Sequence, residues 1–256
     1  NQMSVKKHIN NVKKNGLTHI KNVFSQKEVL HFQQKSIKIM NDYENSGHSF
    51  SNHNRVLNCP FRFDDIFFKL VFIKKIDLIL QGLIDEDYVL LNSNIINRTT
   101  DKSSKKKFKT IGDTWHNDSP RVGKKNVVNA YRFLVSILLD DFSSKNGSTL
   151  YVPKSHLKNT KPLRNYNYKS KFLTGKKGDV VIFDSGLWHK GGVPSDLRRL
   201  GVFNLYGPWW IKPYFNFQQM IGKKGDKLNK YLKKTLHYNS LPPKNNEVRS
   251  LTVTKL

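Results

Sequence analysis

GDVVIFDSGLWHKGG, Gly178–Gly192, opens on a turn glycine, runs through Val180–Phe183 and ends in a histidine followed by a lysine and two more glycines. β-Branched and aromatic residues suit a pleated strand, and glycines at both ends are turn punctuation. The stretch therefore reads as a strand that delivers His189 into a glycine-rich turn. An imidazole placed there can close a metal site if a carboxylate and a second imidazole come from elsewhere. WHNDSP, Trp115–Pro120, contains the one His-x-Asp spacing in the chain. On extended backbone, residues two apart point to the same face, so His116 and Asp118 are two thirds of such a site. Taken alone the spacing is weak. Nine histidines and nineteen acidic residues give a His-x-acid by chance roughly half the time. With His189 on a later strand, the three make a two-histidine, one-carboxylate set. That set leaves positions open for exchangeable ligands and suits non-haem Fe(II).

Outward from these stretches, the chain beyond Tyr88 is a series of short β-rich runs between polar loops. They are YVLLNSNIINRT (Tyr88–Thr99), NAYRFLVSILLDD (Asn129–Asp141), STLYVPKS (Ser148–Ser155) and LGVFNLYGPWW (Leu200–Trp210). Asn146-Gly147 has the composition of a hairpin turn, and Asp140 and Asp184 read as strand ends. Before Tyr88 the grammar is different. NGLTHIKNVF (Asn15–Phe24) suits a strand, and Ser25 with Glu28 three residues on forms a capping box that opens a helix. Asp64–Asp85 carries a second amphipathic helix pattern capped by Asp64 or Asp65. The expected fold class is mainly β with peripheral helices, a jelly-roll or barrel with helices packed outside. A single domain is expected over residues 1–256, with a helical N-terminal region (residues 1–87), a β core (88–215), and a C-terminal helix and tail (216–256).

Composition narrows the function classes. A chain of 256 residues, 37% hydrophobic, can bury a core. Its longest apolar run, Phe133–Leu139, is far too short for a bilayer. Cys59 is the lone cysteine, so neither a disulfide framework nor a cysteine zinc site is expected. The first ten residues have no apolar signal core, and a cytoplasmic location is the expectation. The net charge is +26, which would suit an anionic partner. However, lysine far exceeds arginine, asparagine and isoleucine are also abundant, and the lysines are scattered through every segment. A compositional bias of the genome explains that pattern without a function. Of the remaining histidines, His156 reads equally as structural or as a ligand. His8, His19, His31, His48, His53 and His237 fall in helical or terminal regions, where capping or surface roles are expected.

Taken together, Trp115–Trp210 resembles the phytanoyl-CoA dioxygenase family of Fe(II)/2-oxoglutarate oxygenases. WHNDSP looks like the family's H-x-D segment, and LLDDFSSKNGSTLYVPKSH (Leu138–His156) like its acidic strand end, Asn-Gly turn and Ser-His signature. Gly178–Pro213 looks like its distal-histidine strand, arginine and following strand, and Lys14–Val29 like its opening. The resemblance implies a double-stranded β-helix with the metal at its open end and His116, Asp118 and His189 as iron ligands. It further implies Fe(II), the cosubstrate 2-oxoglutarate and O2, with hydroxylation of an unactivated C–H and release of succinate and CO2. Asp118 is a carboxylate where related halogenases carry a small residue, which favours hydroxylation. The cosubstrate's distal carboxylate needs a cation, and guanidinium matches it bidentately. Arg198 and Arg199 are neighbours on a strand, so only one faces inward. The family pattern selects Arg198 and leaves Arg199 as a surface cation. Trp115, Trp209 and Trp210 read as core or rim packing. A small, anionic substrate is expected, with no specific nucleic acid and no membrane. The loop 119–125, the 101–113 segment and the tail are expected to select it. The alternatives are an oxygenase of nucleic acid or protein, and a catalytically silent jelly-roll that binds a ligand.

Overall fold

A computed structural model of the chain describes residues 2–50, 54–85, 87–100, 114–118, 131–158 and 160–240. The expected substrate-selecting segments 101–113, 119–125 and the end of the tail lie outside them. Two antiparallel sheets carry the architecture. The larger has six strands, β1 (Leu17–Ile20), β2 (Asn54–Asn58), β3 (Tyr88–Arg98), β4 (Phe133–Leu138), β7 (Val180–Asp184) and β9 (Arg199–Pro208), in the order β1-β7-β4-β9-β3-β2. The smaller joins β5 (Leu150–Tyr151), β6 (Lys171–Phe172) and β8 (His189–Lys190) in the order β6-β5-β8.

The two-residue period of the strands divides the large sheet cleanly. Val135, Ile137, Val180, Ile182, Leu200, Val202 and Tyr206 pack with helical residues in the main core. The alternate residues Leu138, Val181, Phe183 and Phe203 turn the other way and pack with Leu173, Leu187 and Tyr151 around the small sheet. Both faces of the large sheet are therefore apolar, and the space between the sheets holds the site.

The helices are α1 (Gln2–Asn15), α2 (Gln26–Asn45), α3 (Phe68–Val71), α4 (Lys74–Leu83), α5 (Phe217–Ile221) and α6 (Lys230–Thr235). α2 begins at the expected capping box: the Ser25 side chain accepts from the Glu28 N–H, and Glu28 reaches back to the Ser25 N–H. α1 falls within the expected helical N-terminal region, but ahead of β1, where the sequence picks out no individual helix. Its Val5, Ile9 and Val12 recur at helical spacing and join the core, with Ile9 seated against Gly82 of α4, where a Cβ would stand 2.4 Å from the Ile9 Cδ1. The pattern expected as one helix over 64–85 is divided into a 3-10 turn at Asp65–Phe67, α3 and α4, with Asp64 capping the turn through the Ile66 N–H at 3.1 Å. Asn146-Gly147 is not a two-residue hairpin turn. Ser144–Asn146 is a 3-10 turn, and Gly147 ends it at φ 67. The buried Asn146 amide donates to Asp141 O (2.7 Å) and Arg198 O (3.2 Å), tying this turn to the start of β9.

Candidate metal centre

β7 ends at Asp184, whose carboxylate accepts the Gly186 N–H at 2.7 Å. This turn returns the chain through Leu187 and Trp188 to His189 in β8. His189 then forms an antiparallel bridge with His116, their N–H groups donating to each other's carbonyls at 3.0 and 2.9 Å. Two residues on, the Asp118 N–H donates to Ser185 O at 2.8 Å. These main-chain bonds bring together the three expected residues. One ligand atom from each of His116, Asp118 and His189 lies within 4.8 Å of the others, and no other such grouping occurs among the described residues.

The tautomers are fixed by the surroundings. Each Nδ1 faces a carbonyl, Thr114 O for His116 and Leu187 O for His189, both at 2.8 Å. A carbonyl only accepts, so each Nδ1 carries the proton and each Nε2 lone pair is left for a metal. The two Nε2 atoms lie 3.9 and 3.4 Å from the Asp118 carboxylate. The donor set is two imidazoles and one carboxylate, with no thiolate. It fits a divalent iron and leaves further coordination positions open.

Burial and mutual charge act in different directions on the three groups. Burial pulls the His116 imidazole below its ordinary value, and His189 adds to the effect, so His116 stays neutral. Burial alone would push Asp118 up, but His189, His116 and Arg132 outweigh it and hold the carboxyl below its usual range. Burial would lower His189, but the adjacent Asp118 carboxylate prevails and raises it.

The two candidate cations, Arg198 and Arg199, lie on different faces of β9. Arg198 faces away from the site and holds Asp140 through two bonds, Nε to Oδ2 at 2.8 Å and Nη2 to Oδ1 at 2.7 Å, with its side chain 40% exposed. Arg199 is 4% exposed. It stacks over Phe142 and Phe203 at 5.3 and 6.0 Å and donates to Thr149 Oγ1 at 3.2 Å. Thr149 in turn lines one small cavity with Tyr151, Leu173, Phe183 and His189. The reason is strand parity: Arg199 shares a face with Phe203, whereas Arg198 continues the face of Leu200 and Val202, which packs on the helices.

Other expectations resolve simply. His156 donates to Lys13 O at 3.0 Å and so ties down the end of α1. Trp115 and Trp188 are buried with Val152 on the side of the small sheet away from the imidazoles, and Lys190 lies 4.8 Å over Trp115. Trp209 and Trp210 are exposed, and Trp210 meets Tyr131 edge-on at 5.5 Å. Thr149 and Arg132 lie beside the three-residue cluster without being singled out by the sequence, and Arg199 is distinguished from Arg198 only by its face. Thr149 carries no residue-level signal, and the arginines are signalled only by face.

Two antiparallel sheets define a double-stranded β-helix of the jelly-roll class, and between them lies a two-histidine, one-carboxylate cluster able to hold a metal. The phytanoyl-CoA dioxygenase family model matches residues 12–199, and the chain belongs to that family. Among curated relatives, the uncharacterized protein Mb1539 of Mycobacterium bovis is 27% identical over 173 residues, 65% of this chain and 60% of that protein. The chain thus spans less than two thirds of that relative. Among solved structures, HygX from Streptomyces hygroscopicus, with nickel and 2-oxoglutarate bound, superposes at a TM-score of 0.64 with 18% identity, covering 83% of this chain and 90% of that one. The epimerase SnoN, in complex with Fe3+, alpha ketoglutarate and nogalamycin RO, superposes at 0.63 with 12% identity, covering 90% and 93%. At these identities the likeness is one of fold.

Proposed function

We propose that the chain is an Fe(II)- and 2-oxoglutarate-dependent oxygenase that hydroxylates an unactivated C–H of a small, anionic molecule, with succinate and CO2 as co-products. The observation that carries the reading is the cluster of His116, Asp118 and His189, with the buried Arg199 bonded to Thr149, a neighbour of His189 between the sheets. His116, Asp118 and His189 would hold the iron, and Arg199 would take the distal carboxylate of the cosubstrate by a charge-assisted pair. When bound, iron with 2-oxoglutarate and O2 supplies the oxidising power for C–H cleavage. The chain's own residues bind and orient. The Thr114 and Leu187 carbonyls keep both imidazoles in the ligating tautomer. Phe142 and Phe203 wall the Arg199 guanidinium away from water, which strengthens its attraction for an anion. The family membership and the intact Asp118 support an oxygenase over a silent binding jelly-roll.

Hydroxylation is proposed ahead of other oxidative outcomes, and the SnoN epimerase shows that this fold also hosts other chemistry. The test is anaerobic reconstitution with Fe(II) and 2-oxoglutarate, followed by addition of O2 and measurement of succinate against a panel of small carboxylates and phosphates. Succinate formation that requires His189 and Arg199, with an oxygen atom from O2 in the product, is the expected result. Succinate formation unaffected by His189→Ala would overturn the reading.

A further inference from the structure

A closed ring of hydrogen bonds surrounds Asp118. Its N–H donates to Ser185 O (2.8 Å), the Ser185 N–H donates to Arg132 O (3.1 Å), and the Arg132 guanidinium Nη2 donates back to Asp118 O. The ring therefore links the H-x-D segment, the turn after β7 and the residue before β4. The second guanidinium nitrogen, Nη1, donates to the Tyr214 hydroxyl at 3.2 Å. Tyr214 is itself anchored, its N–H donating to Leu91 O of β3 at 2.9 Å. Arg132 is 6% exposed. Its stem lies over Gly207, where a Cβ would meet Arg132 Cγ at 3.3 Å and Leu91 Cδ1 at 2.7 Å.

We propose that Arg132 is a positioning residue for the metal carboxylate, fixing Asp118 through its main-chain carbonyl while both carboxylate oxygens stay free to face the imidazoles. The inference rests on reading His116, Asp118 and His189 as the iron site. A cation bonded to the carboxylate itself would compete with the metal for its lone pairs. Bonded to the carbonyl, it sets the backbone and takes no ligand atom. Among the described residues its hydrogen-bond acceptors are neutral oxygens, so Arg132 reaches the Asp118 carboxylate through its field and binds Asp118 only at the main-chain carbonyl. Arginine suits the task because its planar fork reaches two acceptors in fixed directions, whereas a lysine ammonium is a single point on a flexible stem. The Tyr214 hydroxyl holds the other tine, so the guanidinium cannot rotate away from Asp118.

The test is anaerobic Co(II) binding to the full chain, read by calorimetry and by the visible d–d absorption of the bound ion. The variants are Arg132→Met, Arg132→Lys, Tyr214→Phe and, as the site control, His189→Ala. Groups that orient metal ligands from outside the coordination sphere carry roughly ten- to hundredfold in affinity. Arg132→Met should weaken Co(II) by that factor and change the d–d bands while the metal-free near-UV circular dichroism is unchanged. Arg132→Lys should recover some of the affinity, and Tyr214→Phe should lose less in the same direction. Should Arg132→Met fail to fold, the lysine and phenylalanine variants carry the comparison. Wild-type affinity and an unchanged spectrum in those two, with Co(II) lost only in His189→Ala, would overturn the positioning role and leave the metal site standing. Failure of the wild type to bind Co(II), or undiminished binding by His189→Ala, would remove the site and the positioning role together.

Discussion

His116 and His189 exchange both main-chain hydrogen bonds across one antiparallel bridge, and their rings stand 4.3 Å apart, centroid to centroid. The spacing of the two proposed imidazole ligands is thus set by β pairing, which does not depend on either side chain.

Truncating a ligand should therefore abolish metal binding and spare the fold. His116→Ala, His189→Ala and Asp118→Ala should each lose Fe(II) and with it 2-oxoglutarate turnover. Their thermal midpoints should fall by only a few degrees, on the order of 1 kcal/mol for a domain of this size. Paired calorimetry and thermal unfolding check this. Full turnover in any of the three would remove that residue from the metal site.

The two adjacent arginines should separate function from stability. Arg199→Ala removes the buried cation beside Thr149, and loss of a charge-assisted hydrogen bond of about 1.5–3 kcal/mol should raise the 2-oxoglutarate requirement roughly ten- to hundredfold. Arg198→Ala breaks a half-exposed pair with Asp140, which also accepts from Gln33 and from the Leu200 N–H. It should cost about 1 kcal/mol of stability at most and leave the 2-oxoglutarate requirement unchanged. The same succinate assay and a denaturant titration distinguish the two. The opposite order would place Arg198 at the cosubstrate.

That pair also shows where the sequence stops being readable. The β-rich runs and the capping box at Ser25 are local signals, and each corresponds to an element of the fold. His116, Asp118 and His189 are legible because residue type and strand spacing restrict them together. Arg198 and Arg199 are not. Choosing between them needs to know which face of β9 meets the helices, and both faces are apolar, with Leu200, Val202 and Tyr206 on one and Phe203 on the other. Alternation has no polar side here to mark the outside. α1 is hard to read because Val5, Ile9 and Val12 among lysines and asparagines are a thin stripe whose helical state depends on packing against α4.

Acid stability should depend on Asp179. Its carboxylate accepts the N–H groups of Asn22 and Lys176, both at 2.9 Å, and pairs with His19 Nε2 at 2.7 Å. Burial pushes this carboxyl up, but the two main-chain donors and His19 outweigh it and hold it below its ordinary value. A carboxyl depressed in the folded state lends its full stability above the unfolded value, about pH 4, and loses it as the pH falls through the folded value. Asp179→Asn should lower the thermal midpoint at neutral pH, and the gap to wild type should close as the pH is taken below about 4. Melting curves across an acid series read this directly, and a gap that persists undiminished would mean that the ionised form is not what stabilises the fold.

Salt should separate the surface charge from the site. The net charge of +26 is carried mainly by lysines, and their ion pairs, such as Lys38–Asp42, Lys176–Asp141 and Lys224–Asp65, are well exposed. The cations assigned to the proposed site are instead the buried arginines Arg132 and Arg199. Exposed charge is screened over about 8 Å at physiological ionic strength, and buried pairs are screened much less. Nucleic acid should therefore bind weakly and without sequence preference. That binding should collapse as salt rises, because counterion release is its main driving force. The 2-oxoglutarate requirement should change far less over the same range, since the pair at Arg199 forms behind Phe142 and Phe203. The measurement is succinate release and DNA and RNA binding across one salt series. Succinate release stimulated by nucleic acid alone, with a modified base recovered, would move the substrate from small molecules to nucleic acid.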